Sequence, residues 1–305
     1  MSRISDILKK YYEKLSPLDL EILISHAIKK PREFVLSHPE YEIRKTQNAK
    51  LGSFLKRRMK HEPIAYITGH KEFYGLDFEV NKHTLIPRPE TELIVDLVLK
   101  QATSDKGQEN TGITKKNKKL SDTRYAICDI GTGSGNIIVS IAKRLESKNN
   151  NHELYGIDVS RMALKIARKN SKRHNVARNI KFIHGSLLSP LTEKLTKLKL
   201  DKLIIAANLP YLSKKIYASS PKDVSKYEPG SSLYSENYGL AHYEKLLKQI
   251  SERFAICDLR FAIFFEISPE QKNKLEKIIK NYFPKAKVKF YKDLAGKRRV
   301  CKITI

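Results

Sequence analysis

Cysteine is scarce in this chain of 305 residues, which holds only Cys128, Cys257 and Cys301. The three are far apart, their number is odd, and no Cys-x-x-Cys pair occurs, so neither a disulfide framework nor a zinc site is predicted. Cys128 and Cys301 lie in alternating apolar runs, a pattern typical of buried strands. These features favour a reducing compartment, and we expect the protein to be cytoplasmic.

Long apolar runs are also missing. No stretch approaches the roughly 18 residues that a membrane span requires. The N-terminal segment MSRISDILKKYYEKL carries Asp6 and Glu13 and lacks the apolar core of a signal peptide. We therefore expect no association with a membrane.

Acidic residues are few relative to basic ones, with 33 Asp and Glu against 59 Lys and Arg and a net charge of +26. Such a field favours acidic partners, including RNA, ribosomes and acidic protein surfaces. The lysines are spread along the whole chain, however, as a general compositional bias would produce. A weak contact of the basic surface with RNA or the ribosome is left open, and we expect the chain to act as a monomer.

Hydrophobic residues make up 40% of the chain, and its length suits one large domain with a small accessory domain. Residues 1–62 read as short helices, one of them starting at Ser16-Pro17. Residues 63–86 are rich in β-branched and aromatic residues, with Gly69 and Gly75 as turn points, which predicts a hairpin linker. Residues 87–305 form the predicted main domain, with a flexible polar insertion at 101–123.

Strand and helix patterns alternate after the insertion, which predicts an α/β domain with a mostly parallel sheet of the Rossmann-like kind. The predicted strands are Tyr125–Ile130, Glu153–Asp158, Ile180–His184, Leu203–Ala207 and Phe261–Glu266. The predicted helices are Asn136–Leu145, Arg161–Asn170 and Ala241–Arg253. Two alternating runs around Gly296 predict a C-terminal antiparallel hairpin, which would complete a sheet of seven strands. This ending resembles that of class I S-adenosylmethionine (AdoMet) dependent methyltransferases.

A glycine-rich loop joins the first predicted strand of this domain to its helix. Glycines at a sharp strand-to-helix turn allow a ligand to approach the backbone closely. The spacing is Gly-x-Gly-x-Gly rather than the Gly-x-Gly-x-x-Gly of dinucleotide sites, and an acidic residue at this position suits the cationic AdoMet better than a pyrophosphate. The predicted cofactor contacts here are Asp129, Gly131, Thr132, Gly133, Ser134 and Gly135.

Two further strand ends complete the predicted cofactor site. Asp158 at the tip of the second strand can accept hydrogen bonds from both ribose hydroxyls, although it could instead cap the helix starting near Ser160. Ser186 follows the third strand, where many AdoMet enzymes place an acid for the adenine amino group. His184 is interpreted as a strand-end residue.

The fourth strand ends in Asn208-Leu209-Pro210-Tyr211, which resembles the (Asn/Asp)-Pro-Pro-(Tyr/Phe) motif of methyltransferases acting on planar nitrogens. The Asn208 side-chain oxygen and a backbone carbonyl can accept both N–H groups of an amide and direct its lone pair at a methyl donor. Tyr211 can pack against the flat substrate group. Leu209 stands where the motif usually has proline, and the tetrapeptide alone does not distinguish glutamine from adenine.

A longer segment upstream makes the resemblance specific. Tyr-Ile-Thr-Gly at 66–69, Phe-Tyr-Gly-Leu at 73–76 and Ile-Pro-Arg-Pro-Glu-Thr-Glu at 86–92 resemble the junction of the PrmC/HemK family, the release factor glutamine methyltransferases. The N-terminal helices, the YEPGSSLYSENYGLAHYEKLL segment, Glu266 with Gln271, and KDLAGKRRV resemble the family as well. The likeness covers nearly the whole chain.

The resemblance implies methyl transfer from AdoMet, with S-adenosylhomocysteine as product, to the amide nitrogen (N5) of glutamine in the Gly-Gly-Gln motif of a class I peptide chain release factor. It implies that the N-terminal domain helps to hold that factor, and that no metal takes part. The glycine loop and Asp158 would contact the cofactor, and Asn208 through Tyr211 would hold the glutamine. Asn208, Pro210 and Tyr211 are the expected catalytic residues, and Asn208 is expected to contact the cofactor as well. The stretch containing Pro87, Arg88 and Glu90 would lie beside the substrate.

Two other hypotheses remain. An RNA or DNA adenine methyltransferase is favoured by the Asn-Leu-Pro-Tyr motif and by the positive charge. A binding protein that has lost catalysis is suggested by Leu209 and Ser186, where this chain departs from the usual pattern.

Overall fold

The computed structural model describes residues 2–104, 125–146, 152–198, 200–254 and 259–305. The chain divides into two compact units, one of Met1–His70 with Ser220–Tyr227 and the other of Lys71–Ser219 with Glu228–Ile305. Cys257 and residues 105–123 of the predicted insertion lie outside the described residues. Within the described part, no helix has the length and apolar character needed to cross a membrane.

The first unit is built from short helices, as its sequence predicts, together with one two-stranded antiparallel sheet that the sequence pattern did not predict. Ser16 begins its second helix by accepting a hydrogen bond from the Asp19 amide at 3.1 Å, and Pro17 occupies the first turn, where its missing N–H costs nothing. Apolar side chains from several helices, including Leu20, Ile24 and Leu51, form one buried core. Its elements are β1 (Ser2–Arg3), α1 (Ile4–Tyr11), α2 (Pro17–Ile28), α3 (Arg32–Ser37), β2 (Glu42–Ile43), α4 (Lys45–Met59), α5 (Ile64–Thr68) and α11 (Lys222–Tyr227).

The predicted hairpin is shorter than the sequence pattern suggests. Residues Ile64–Thr68 form helix α5, which ends at Gly69 in a left-handed conformation with φ +80°. The hairpin itself pairs β3 (His70–Phe73) with β4 (Leu76–Glu79). β-Branched and aromatic residues suggested a strand from position 64, but burial of Ala65, Tyr66 and Ile67 favours a helical turn there.

The second unit contains the predicted seven-stranded sheet, in the order β10-β11-β9-β8-β5-β6-β7. β11 runs antiparallel to both of its neighbours, and the pairs from β9 through β7 are parallel. This confirms the mostly parallel sheet with a C-terminal antiparallel hairpin. The strands are β5 (Tyr125–Ile130), β6 (His152–Asp158), β7 (Ile180–His184), β8 (Lys202–Ala207), β9 (Arg260–Glu266), β10 (Lys287–Lys292) and β11 (Arg298–Thr304).

Helices cover both faces of this sheet. Alternate residues of β5 point to opposite faces, so that Ile127 joins one buried cluster and Cys128 the other. The helices of this unit are α6 (Glu92–Ser104), α7 (Asn136–Leu145), α8 (Arg161–Arg173), α9 (Thr192–Lys197), α10 (Lys214–Ala218), α12 (Glu236–Gly239), α13 (Ala241–Phe254) and α14 (Lys272–Tyr282). Helix α6 continues to Ser104 and so includes the first four residues of the predicted polar insertion at 101–123.

The parallel order places the carboxyl ends of β5, β6, β7 and β8 side by side. Ligands of open α/β sheets bind at this edge, because the loops that follow the strands meet there. Most of the predicted functional residues lie at the ends of these four strands or in the loops after them, so the topology brings them together. Pro87, Arg88 and Glu90 instead lie just before helix α6.

Candidate active site

A tight loop connects buried strand β5 to helix α7. Gly131, Gly133 and Gly135 all have left-handed backbones, with φ of +73°, +55° and +81°. The amides of Gly131 and Thr132 both donate to the Ile157 carbonyl, at 2.8 and 2.9 Å, which ties the loop to β6. A Cβ on Gly131 would lie 3.0 Å from Leu209 Cδ2, so this glycine also allows close contact with the loop after β8.

Asp129 lies beneath this loop and is fully buried. Its Oδ2 accepts a hydrogen bond from the Thr132 hydroxyl at 2.6 Å, which fixes the start of the turn. Burial raises the pKa of Asp129 to about 7, although the Thr132 hydroxyl opposes the shift. Asp129 therefore supports the loop from below and is not among the described residues that line the cavity above it.

A pH-dependent stability follows from this buried carboxyl. Between pH 3.8, its ordinary pKa, and about 7, the folded protein keeps a proton that the unfolded chain has released. The free energy of unfolding should therefore fall as pH rises through this window, by about 1.4 kcal/mol per unit of pKa difference. In urea unfolding, the free energy of unfolding of Asp129→Asn should depend less steeply on pH than that of wild type. The exposed control Glu146→Gln should retain the wild-type slope, and equal slopes for all three proteins would contradict the prediction.

Asp158 joins the tip of β6 to the glycine loop. Its Oδ2 accepts the Gly133 amide at 2.9 Å, and its Oδ1 accepts the Ser160 amide at 2.8 Å. The hydroxyl of Ser160 caps helix α8 by accepting the Ala163 amide at 3.1 Å. Burial raises the pKa of Asp158, and the two N–H donors oppose that shift. Each carboxylate oxygen retains acceptor capacity toward the cavity.

The loop after β7 closes the same cavity. Ser186 lines it, and Leu187 next to it has a left-handed backbone with φ +53°. The His184 ring bonds to the Val159 carbonyl through Nε2 at 2.9 Å, which agrees with its interpretation as a strand-end residue. A Cβ on Gly185 would lie 2.7 Å from Pro190, so the turn depends on glycine at that position.

Asn208, at the end of β8, is hydrogen-bonded to the described residues through only one end of its side-chain amide. Its Nδ2 donates to Thr91 Oγ1 at 3.1 Å, while its buried Oδ1 has no hydrogen-bond partner among the described residues. The residue lines the cavity. Because a buried unpaired acceptor costs about 1–3 kcal/mol, this oxygen is typical of an atom reserved for a ligand donor.

A buried carboxylate lies behind Asn208. Glu266 at the end of β9 is 1% exposed; its Oε2 accepts from the Thr91 hydroxyl at 2.6 Å and its Oε1 from the Tyr211 hydroxyl at 3.1 Å. Burial raises the pKa of Glu266, and the two hydroxyl donors oppose the shift. Burial, together with the charge of Glu266, raises the pKa of Tyr211 well above its ordinary value.

The backbone of Tyr211 is clamped from a neighbouring helix and loop. Gln271 Nε2 donates to the carbonyls of Tyr211 and Tyr238, each at 2.8 Å. Gly239 packs directly on Tyr211, since a Cβ at that glycine would lie 1.9 Å from the Tyr211 carbonyl oxygen. The two residues that precede Gly239, Asn237 and Tyr238, also have left-handed backbones, which indicates a strained turn.

Replacing this glycine should displace the end of the Asn-Leu-Pro-Tyr loop. We expect Gly239→Ala to lower the free energy of unfolding by about 2 kcal/mol or more, because the methyl group overlaps backbone and φ is +84°. Chemical denaturation measures the change. The control is Gly52→Ala in helix α4, where an added Cβ meets nothing within 4 Å and should stabilise slightly. Wild-type stability for Gly239→Ala would show that the loop is not held in this way.

The Pro87–Arg88 segment borders the cavity from another direction. Arg88 Nη2 pairs with Glu228 Oε1 at 2.5 Å, and the Ile86 amide donates to Glu228 Oε2 at 3.1 Å. The Glu228 side chain is 1% exposed, so Arg88 neutralises a buried charge. Glu90 does not line the cavity among the described residues, although its charge raises the pKa of Glu266.

One cavity thus brings together most of the predicted site residues. Of these residues, Asp129, Gly135, Glu90 and Tyr211 lie outside the described lining. The predicted residues that line the cavity are Pro87, Arg88, Gly131, Thr132, Gly133, Ser134, Asp158, Ser186, Asn208, Leu209 and Pro210. The described residues contain no group of three or more His, Cys, Asp or Glu arranged to hold a metal ion.

The sequence did not single out every residue of this site. Thr91 was visible within the Pro-Arg-Pro-Glu-Thr-Glu stretch and Glu266 at a strand end, but neither was assigned a role. Glu228, the partner of Arg88, stood out in the sequence only as part of the Tyr-Glu-Pro-Gly stretch. His83, Ser231 and Ser232 also line the cavity; the two serines lie in the YEPGSSLYSENYGLAHYEKLL segment, but none of the three was assigned a role.

Solved structures support the fold. The hMettl16 catalytic domain, in its complex with MAT2A 3'UTR hairpin 1, has a TM-score of 0.52 and 15% identity, covering 94% of this chain and 91% of that one. The complex with hairpin 6 gives a TM-score of 0.50 and 14% identity, covering 85% and 81%. At this identity, the likeness shows a shared fold alone.

Sequence comparison gives the family. Residues 1–69 match the PrmC N-terminal domain, and residues 121–286 match a methyltransferase domain. The release factor glutamine methyltransferase of Clostridium botulinum is 33% identical over 97% of this chain and 94% of its own length. That of Buchnera aphidicola is 34% identical over 96% of each chain.

A second group of relatives is longer. The bifunctional methyltransferase of Rickettsia prowazekii is 34% identical over 100% of this chain and 56% of its own length. The chain therefore spans about half the length of the Rickettsia relatives that it matches. Because two release factor glutamine methyltransferases that are 33% and 34% identical match this chain along nearly their whole length, the chain belongs to the release factor glutamine methyltransferase family.

Proposed function

We propose that the chain transfers a methyl group from AdoMet to the side-chain amide nitrogen (N5) of the glutamine in the Gly-Gly-Gln motif of a class I peptide chain release factor. The observation that carries this proposal is the unpaired, buried Oδ1 of Asn208 at the cavity wall. An acceptor held in that position fits an N–H donor, and a primary carboxamide presents two of them.

The residues around the cavity suit AdoMet as the methyl donor. When bound, AdoMet supplies an electrophilic methyl carbon on a cationic sulfonium. Asp158 offers carboxylate lone pairs to ribose hydroxyls at the tip of β6, and the glycine loop permits close backbone approach. The cofactor contacts that we propose are Gly131, Thr132, Gly133, Ser134, Asp158 and Ser186, with Asp129 and Gly135 shaping the loop.

The second acceptor for the substrate amide is the carbonyl of Leu209. The Tyr243 hydroxyl lies 3.3 Å from this carbonyl and 2.5 Å from the Glu266 carbonyl. A hydroxyl has one hydrogen, and the shorter bond to Glu266 uses it. The Leu209 oxygen therefore stays available, and the change from proline to leucine at this position keeps the acceptor.

These two acceptors explain how a poor nucleophile becomes reactive. The lone pair of an amide nitrogen is delocalised, so the nitrogen must be oriented and its developing positive charge stabilised. Asn208 Oδ1 and the Leu209 carbonyl would hold both N–H groups and point the lone pair into the cavity. One N–H proton leaves for water after transfer, so no strong general base is needed beforehand.

The basic composition supports an acidic partner without identifying one. The proposal also includes a contact of the lysine-rich surface with RNA or the ribosome. It further includes a monomeric active form and a cytoplasmic site of action, where release factors work. A binding protein without catalysis is less well supported, because Leu209 keeps its carbonyl and Ser186 keeps its place at the cavity.

Mass spectrometry of release-factor peptides tests the proposal directly. After incubation with the chain and AdoMet, the peptide containing Gly-Gly-Gln should gain one methyl group on glutamine. A release factor with Gly-Gly-Glu is the matched negative control. Transfer of labelled methyl groups to RNA or DNA but not to the release factor would establish the adenine methyltransferase hypothesis instead.

A further inference from the structure

The amide of Asn208 is nearly symmetrical in shape, so something must decide which of its two ends faces the substrate. We propose that Glu266 is a positioning residue that makes this choice through Thr91, by forcing the Asn208 oxygen toward the substrate and its NH2 group away from it. This inference rests on the proposed function and adds the determinant of its selectivity for a carboxamide.

The directions of the hydrogen bonds carry the argument. The Thr91 hydroxyl donates its single hydrogen to Glu266 Oε2, at 2.6 Å, and has no second hydrogen to give. The oxygen of Thr91 can then only accept from its other neighbour. That neighbour is Asn208, 3.1 Å away, and the atom facing Thr91 must be the donor Nδ2. The acceptor Oδ1 is thereby turned to the opposite side.

Burial of Thr91 and Glu266 prevents this order of hydrogen bonds from rearranging. Thr91 and Glu266 are each 1% exposed, so water cannot readily replace either partner and relax the order of donors. In such surroundings an unmatched donor or acceptor is costly, which keeps the sequence of hydrogen bonds fixed. Glu266 also accepts from Tyr211, so the same carboxylate restrains the aromatic residue of the motif.

The connection predicts a change of preference rather than a simple loss. With Oδ1 outward, the site should accept a glutamine side chain and repel the oxygens of glutamate. If Thr91 lost its hydroxyl, or if Glu266 no longer took the Thr91 hydrogen, the Asn208 amide could turn over and present NH2. A glutamate side chain would then gain a donor that wild type does not offer.

Competition between two peptides tests this inference. Peptides that differ only in Gly-Gly-Gln against Gly-Gly-Glu are compared as inhibitors of release-factor methylation by wild type, Thr91→Val and Glu266→Met. We expect both variants to shift the ratio of inhibition constants toward the glutamate peptide by about tenfold, with a similar loss of kcat. Thr91→Ser, which keeps the hydroxyl, should recover most of the activity lost in Thr91→Val.

AdoMet binding by calorimetry separates this effect from misfolding, since Thr91 and Glu266 are not among the proposed cofactor contacts. If one variant fails to bind AdoMet, the other decides the outcome. An unchanged preference in a variant that binds AdoMet would overturn the role of Glu266, with the proposed function intact. A wild-type protein that neither methylates nor binds the glutamine peptide would overturn the proposed function itself.

Discussion

Asn208→Ala is expected to lower kcat for release-factor methylation by about 10²–10³-fold while leaving the Kd for AdoMet nearly unchanged. The substitution removes the buried oxygen that has no partner among the described residues, and with it the acceptor for one substrate N–H group. That acceptor matters most as the nitrogen gains positive charge, so the loss should fall on kcat rather than on cofactor binding.

Asn208→Asp is the matched control for this experiment. It keeps oxygen acceptors at the cavity but loses the donor to Thr91, so it should retain more activity than the alanine variant. Single-turnover methylation and calorimetry with AdoMet measure the two effects separately. Near-normal turnover by Asn208→Ala would show that the amide nitrogen is not held in the way that we propose.

Asp158→Ala should produce the opposite pattern, with AdoMet binding weakened by about 10–100-fold and kcat at saturating AdoMet much less affected. Hydrogen bonds to a charged group contribute about 1.5–3 kcal/mol, and 1.4 kcal/mol corresponds to a tenfold change. Part of the loss arises within the protein, because the amides of Gly133 and Ser160 lose their acceptor.

Ser160→Ala provides a matched control that perturbs the neighbouring helix start and leaves the Asp158 acceptor intact. It removes the helix cap at Ala163 and should cost about 1 kcal/mol of stability, but it leaves the Asp158 carboxylate in place. Its Kd for AdoMet should stay much closer to wild type than that of Asp158→Ala. Equal affinities for AdoMet in the Asp158→Ala and wild-type proteins would remove Asp158 from the cofactor site.

Much of the architecture could be predicted because strong local patterns coincide with the observed elements. Strand β7 and helix α7 have the predicted bounds, and the C-terminal hairpin around Gly296 forms as expected. Residues 64–68 were assigned incorrectly to a hairpin. Their β-branched and aromatic composition is shared by short buried helices, and burial in the first unit determined the outcome.

The first layer of the candidate site could also be predicted, because most of its residues lie at or just after strand ends that the parallel order brings together. The residues behind this first layer could not be predicted. Thr91 and Glu266 are 175 positions apart, and only the folded sheet shows that their side chains meet. Arg88 was linked to the substrate by resemblance alone, whereas in the structure its direct partner is the buried Glu228.

The composition of the first compact unit constrains how domains could be exchanged between relatives. Most of its helices come from the first seventy residues, but Ser220–Tyr227, which contains helix α11, belongs to it too. The Tyr227 hydroxyl donates to the Lys60 carbonyl at 2.8 Å. A chimaera that replaced only the N-terminal stretch would therefore retain a mismatched piece of the parent. Exchanging this unit between family members requires both segments to be moved together.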